Sequence, residues 1–339
     1  LLNEQQDQAI DAFIEAVQND PDTSELHFAL GNLFRRRGEY ERAVRVHEHL
    51  LLRADLSQAD RDRAQHALAL DFLKAGLLDR AEAALRKLDG TALRTQAQLA
   101  MLAIYERSRD WPHAAEIAQQ LETAGQGSFT ARQAHYLCEQ ASTLMVAGQA
   151  QAARSLLERA VATAPQTARP HIELSRWLQQ SGDAANAFAT LATLYQQVPQ
   201  AISLVAMDLA RLGLGLGLGQ AQQAQRLLGD AYRKAASLDV LDALVLLQAH
   251  EAGMPSAQDW YLRHLEREPS LVAAAKWLAG EKLEHEQFHP QVQRALDHAV
   301  KPLTRYRCAA CGFEAQQHFW QCPGCQAWDS YPARRIEEL

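Results

Sequence analysis

An all-α superhelical solenoid of tandem helix pairs, ending in a small cysteine-bound metal knuckle, is the fold class this sequence predicts. Three observations lead there. Ala, Leu, Gln, Arg and Glu dominate, against 17 Gly and 11 Pro, a mixture that favours helix over strand. One layout, a Gly followed five residues later by an Ala, recurs along the chain. Four of the five cysteines lie between Cys308 and Cys325 as two C-x-x-C pairs. With 339 residues, 47% of them hydrophobic, the chain can bury a substantial core.

The elements follow in order. "AIDAFIEAVQNDP" (9–21) carries Ala9, Phe13, Ala16 and Pro21, the layout of the second helix of a pair. Residues 1–23 are therefore expected to be the second half of a truncated first repeat. Only "LLNEQQDQ" is left for its partner helix. An unmated terminal helix exposes apolar surface, so a natural N-terminal segment is expected upstream.

Residues 24–285 are expected to form about six tandem pairs. "GEYERAVRVHEHLL" (38–51), "GLLDRAEAALRKL" (76–88), "GQAQAARSLLERAVATAP" (148–165) and "GDAANAFATLATLYQQVP" (182–199) place Ala43, Ala81, Ala153 and Ala187 alike. Leu85, Leu157 and Leu191 follow four residues on, with His47 in that place in the first. Upstream helices are marked by Leu30-Gly31-x-x-Phe34, Leu68-Ala69-x-x-Phe72 and Leu174-x-x-x-Leu178. Gly148 and Gly182 are 34 residues apart. This is the tetratricopeptide pattern, two antiparallel helices per ~34 residues with small residues where helices cross. Degenerate units are expected around Ala114 and Ala224, and a last pair over about 239–268 with "SAQDWYLRHLEREP" as its second member. "GLGLGLG" (213–219) lacks the G-x-G-x-x-G spacing and a preceding strand, so an enlarged, flexible turn inside a repeat is expected there. Residues 286–304 form a connecting helix stopped by Pro302, and 305–335 the tetracysteine domain.

No catalytic constellation emerges. His47, Glu48 and His49 are adjacent, so they cannot share a helix face as H-E-x-x-H does. Cys138 reads as a small buried helix residue. The net charge of −7 argues against nucleic acid as a general partner. No stretch of ~18 uninterrupted apolar residues is present. Asn32, Arg35 and Arg36 lie on a helix face that commonly lines a tetratricopeptide groove, and a solvated helix face is the preferred account of them.

Cys308-x-x-Cys311 and Cys322-x-x-Cys325 can supply four thiolates. Each knuckle points backbone N–H groups at its sulfurs. Gly312 suits the turn after the first pair, and Pro323 stiffens the second. Tyr306, Phe313, Phe319, Trp320, Trp328 and Tyr331 are expected to cover one metal ion and make a small core. A unit this small folds only with its metal, and zinc and iron both accept four thiolates.

Y-x-C-x-x-C-G-F … W-x-C-P-x-C resembles rubredoxin knuckles. The gap between pairs is shorter here, and Gln326 stands where Gly is usual. A similar short ribbon opens the bacterial RadA recombination protein. A nucleic-acid-binding ribbon and a small redox module therefore stay as alternatives. Repeats ending in "YRCAACGF…FWQCPGCQAW", with "LLNEQQDQAIDAF" and "ALGNLFRRRGEYERAVRVHEHL" near the start, resemble the lipopolysaccharide assembly protein B (LapB/YciM) family. That resemblance implies a non-enzymatic adaptor regulating lipopolysaccharide biosynthesis, with protein partners and no small-molecule substrate. It implies an N-terminal anchor in the inner membrane, repeats facing the cytoplasm, and a rubredoxin-like domain. It implies that the adaptor promotes degradation of the LpxC deacetylase by the FtsH protease. It favours iron or zinc on Cys308, Cys311, Cys322 and Cys325. Self-association as a homo-oligomer is left open.

Overall fold

The computed structural model describes residues 24–281 and 288–339; the helix expected at 9–21 lies outside them. Among the described residues there are sixteen α-helices and one two-stranded sheet. The chain divides into two compact units, Leu1–Phe129 and Thr130–Leu339.

In the first unit three helix pairs succeed one another. They are α1 (Ser24–Arg36) with α2 (Tyr40–Leu52), α3 (Gln58–Lys74) with α4 (Leu78–Arg86), and α5 (Arg94–Ser108) with α6 (Trp111–Thr123). The second unit continues with α7 (Thr130–Val146) and α8 (Ala150–Thr163), then α9 (Ala168–Gln180) and α10 (Ala184–Gln197). A 3-10 turn, Pro199–Val205, leads into α11 (Ala206–Leu216) and α12 (Leu218–Lys234). Then come α13 (Leu238–Ala252), α14 (Met254–Arg267), α15 (Leu271–Gly280) and α16 (His289–Val300).

The recurring Gly and Ala have the roles their spacing predicts. Gly38, Gly76, Gly148 and Gly182 turn each pair at φ between +75° and +86°, a conformation disfavoured for side chains with a Cβ. Ala43, Ala81, Ala153 and Ala187 are fully buried where the paired helices cross. Ala114 and Ala224 are fully buried too, so the degenerate units belong to the series. In the third pair Arg109 (φ +58°) makes the left-handed turn without a glycine.

The "GLGLGLG" segment is not an enlarged flexible turn. α11 runs through Leu216, Gly217 alone breaks the chain at φ +113°, and α12 begins at Leu218. Leu212, Leu214 and Leu216 pack against the core of the second unit. That burial outweighs the helix cost of about 1 kcal/mol per glycine. The extra residues of this repeat lie instead in the 3-10 turn before α11.

Arg35 departs from the solvated face offered for it, being only 18% exposed. In the first unit it bonds the Asp71 carboxylate (2.9 Å), the Ala67 carbonyl (3.1 Å) and the Asn32 side chain. The other Asp71 oxygen bonds His47 Nδ1 at 2.5 Å, and both those side chains are fully buried. Gly31 makes room: a Cβ there would lie 2.5 Å from the His47 ring. One polar network thus ties α1, α2 and α3. Arg36 is exposed.

In the second unit the buried Tyr232 hydroxyl lies 2.6 Å from His264 Nδ1. Burial holds the His264 pKa below its ordinary 6.5, so folding favours the neutral ring. Its stabilisation is complete above pH ~6.5 and is lost as pH falls through the lowered value. The difference in melting temperature between the parent chain and His264→Gln is expected to shrink from pH 7.5 to pH 5.5. A pH-independent difference would refute this.

Candidate metal centre

The ribbon begins where β1 (Tyr306–Arg307) pairs antiparallel with β2 (Glu314–Ala315), Tyr306 opposite Ala315. This short hairpin presents the first knuckle. Cys308 N–H donates to the Phe313 carbonyl and Gly312 N–H to the Cys308 carbonyl, with Gly312 at φ +79°. The second knuckle repeats the scheme: Cys322 N–H donates to Ala327 O, and Gln326 N–H to Cys322 O. Gln326 takes the left-handed conformation (φ +62°) at the position where a glycine would cost less.

The four cysteines converge. Sulfurs at about 2.3 Å from a tetrahedral metal are separated by roughly 3.8 Å. Cys308 and Cys325 Sγ are 3.8 Å apart, Cys311 and Cys322 Sγ 3.7 Å, and all four lie within 4.8 Å of one another. A disulfide would need about 2.05 Å, and all four thiols are free. The arrangement fits a single metal ion held by four thiolates.

The electrostatics agree. The Ser330 hydroxyl, 3.3 Å from Cys308 Sγ, and the backbone N–H groups of Cys311 and Ala310 draw the Cys308 thiol down to about 6. Burial opposes ionisation of Cys322, but the N–H groups of Cys325 and Gly324 still lower it. The Phe313 N–H favours the Cys311 thiolate, yet burial and the three neighbouring thiols push Cys311 up to about 12. Thiolates this close repel unless a cation neutralises them. Four protein ligands leave no open position, the mark of a structural rather than a catalytic site. Cys138 lies elsewhere, fully buried in α7, with burial as the main cause of a strongly raised pKa.

The aromatics divide into two groups. Tyr306 and Tyr331 are buried with Cys308 and Cys322, and Phe319 packs on them. Phe313, expected in this core, is 44% exposed and lies against Gly324. Trp320 packs into the helical core of the second unit. Trp328 stacks on His135 of α7, ring centroids 4.7 Å apart. His135 is fully buried, and its Nε2 lies 2.9 Å from each Asp329 carboxylate oxygen.

The ribbon is thereby docked on α7, the 3-10 turn and α13, not on the last helices alone. It meets α7 through Trp328 and Asp329. Ser203 Oγ, in the 3-10 turn, donates to Ala333 O at 2.5 Å. Arg335 forms two 2.8 Å bonds to Asp239 at the start of α13. None of His135, Ser203, Asp239 or Arg335 carries a motif that would have singled it out. Three of the ribbon's arginines are paired: Arg305 and Arg307 with Glu314, and Arg335 with Asp239 of α13. That leaves Arg334 exposed, a poor footprint for phosphates.

Comparison with known proteins agrees with this geometry. Residues 306–331 match the family described as "Rubredoxin metal binding domain". Over 348 residues the chain is 32% identical to "Lipopolysaccharide assembly protein B" of Escherichia coli (strain K12), covering 100% of this chain and 88% of the relative. The protein of the same name from Haemophilus influenzae is 26% identical over 344 residues, covering 97% and 86%. A tetratricopeptide repeat protein from Parabacteroides merdae aligns with TM-score 0.34 and 13% identity, over 73% of this chain and 93% of that one. The C-terminal part of a repeat-containing protein from Cytophaga hutchinsonii aligns with TM-score 0.40 and 13% identity, over 76% and 100%.

Proposed function

This chain belongs to the lipopolysaccharide assembly protein B family, and we propose that it is a non-enzymatic adaptor that controls lipopolysaccharide synthesis by delivering LpxC to the FtsH protease. Identity along the whole chain to lipopolysaccharide assembly protein B carries the reading. The helix pairs supply an extended protein-binding surface. The closed thiolate site has no position for a substrate, which suits a structural ion, iron or zinc, on Cys308, Cys311, Cys322 and Cys325. The adaptor works at the inner membrane with its repeats facing the cytoplasm, which brings it to a membrane protease. No helix among the described residues is long and apolar enough to cross a membrane.

The test uses the full-length protein in cells lacking their own copy. Its expression should shorten the half-life of LpxC and recover both LpxC and FtsH on affinity capture. Unchanged LpxC turnover with the protein at normal level would refute the proteolysis step. Specific retention of nucleic acid by the purified chain would favour the ribbon alternative.

A further inference from the structure

The segment after the metal knot does something the metal does not explain. Glu337 and Glu338, adjacent in sequence, reach the N-termini of two different helices. The Glu337 carboxylate accepts from Leu271 N (2.7 Å), Val272 N (3.1 Å) and the Ser270 hydroxyl (2.7 Å), at the start of α15. The Glu338 carboxylate accepts from Leu238 N (2.5 Å), at the start of α13, and from Arg335 N (2.6 Å). Each helix end offers unpaired N–H groups and a partial positive charge, so a carboxylate is the fitting occupant.

α13 also lacks its local cap. Ser237 stands at the N-cap position, a residue type suited to it, yet its side chain caps nothing. Its hydroxyl is buried and interacts with the Glu338 carboxylate instead of capping its own helix, and the residue is 8% exposed. The cap comes instead from a carboxylate 100 residues away in sequence. Arg335 completes the grip through Asp239 and through the Thr304 carbonyl (2.8 Å), with its guanidinium 4.1 Å over the Tyr306 ring. No cysteine takes part.

We propose that the starts of α13 and α15 form a two-point site for a peptide with adjacent carboxylates, occupied here by the chain's own Glu337–Glu338, which serves as a latch separable from metal binding. The inference concerns this chain alone and does not depend on which enzyme the adaptor controls.

The test compares the full, metal-loaded chain with Glu337→Ala/Glu338→Ala. In the variant, the amides of Leu238, Leu271 and Val272 should exchange with deuterium about tenfold faster or more, because each loses a charge-assisted bond. Metal per chain and helix content should stay unchanged. A synthetic peptide of residues 333–339 should bind the variant at least about tenfold more tightly than the parent, whose site is filled in cis. Unaltered exchange at those three amides would overturn the proposal. Loss of metal in the variant would overturn it too, by making the segment part of the knot. Equal peptide binding by both chains, or none by the variant, would overturn the site. If the double variant folds poorly, Glu337→Gln is the second probe: it should accelerate Leu271 and Val272 while leaving Leu238 protected, and acceleration of all three alike would count against two separate points.

Discussion

Replacing Cys308 and Cys322 together by Ser is expected to abolish metal binding and unfold residues 306–331, while most of the helix signal survives. The two buried sulfurs lie in the ribbon's own core with Tyr306 and Tyr331, so nothing else can take their place. Regular structure in the ribbon amounts to two strands of two residues each and one isolated bridge, too little to stand on its own. A unit of this size depends on its metal, whose binding supplies on the order of 10–16 kcal/mol in structural zinc sites. The helices keep their own cores and do not use the four ribbon cysteines. Elemental analysis should fall from one ion per chain to none, near-ultraviolet signals from Trp320 and Trp328 should broaden, and ellipticity at 222 nm should change little. Retention of stoichiometric metal by the double variant would refute the four-thiolate assignment.

Asp71→Ala is the second large effect. Asp71 is fully buried between a fully buried His47 and an Arg35 that is 18% exposed. Removing the carboxylate strands one cation and one imidazole at the meeting of three helices. Breaking a buried ionic network at one member costs roughly 3–5 kcal/mol. Chemical denaturation should show the first unit destabilised by about that much, with the ribbon still metal-loaded. Replacing all three groups by apolar residues of similar volume should recover most of the loss, since the partners are then removed together. A loss below about 1 kcal/mol for Asp71→Ala would mean the network is solvated in solution.

The helix pairs and the convergence of the four cysteines were legible in the sequence for related reasons. A small residue at a fixed offset from a turn glycine marks a helix crossing, and C-x-x-C spacing marks converging sulfurs; both are local. The docking of the ribbon was not legible, because it depends on long-range pairs such as His135 with Asp329 and Glu338 with Leu238. No spacing rule relates such positions. The turn at 213–219 was misjudged because glycine-rich composition states a preference of about 1 kcal/mol per residue, and the leucines between the glycines bury enough surface to reverse it. The pairing of Arg35 was hidden for a similar reason. Its partner Asp71 lies in the next repeat, and a single helix face does not show it.

The bond from His135 to Asp329 spans 194 residues. An open array of repeats is one-dimensional: each unit feels only its neighbours, so its ends fray first and opening spreads inward. Tying the first helix of the second unit to the ribbon beyond its last helix turns that open array into a closed circuit. α7 can then no longer open alone, because its opening must also break contacts at the far end of the sequence. A metal ion held by the four thiolates would thereby set the cooperativity of the helices of the second unit, none of which touches it.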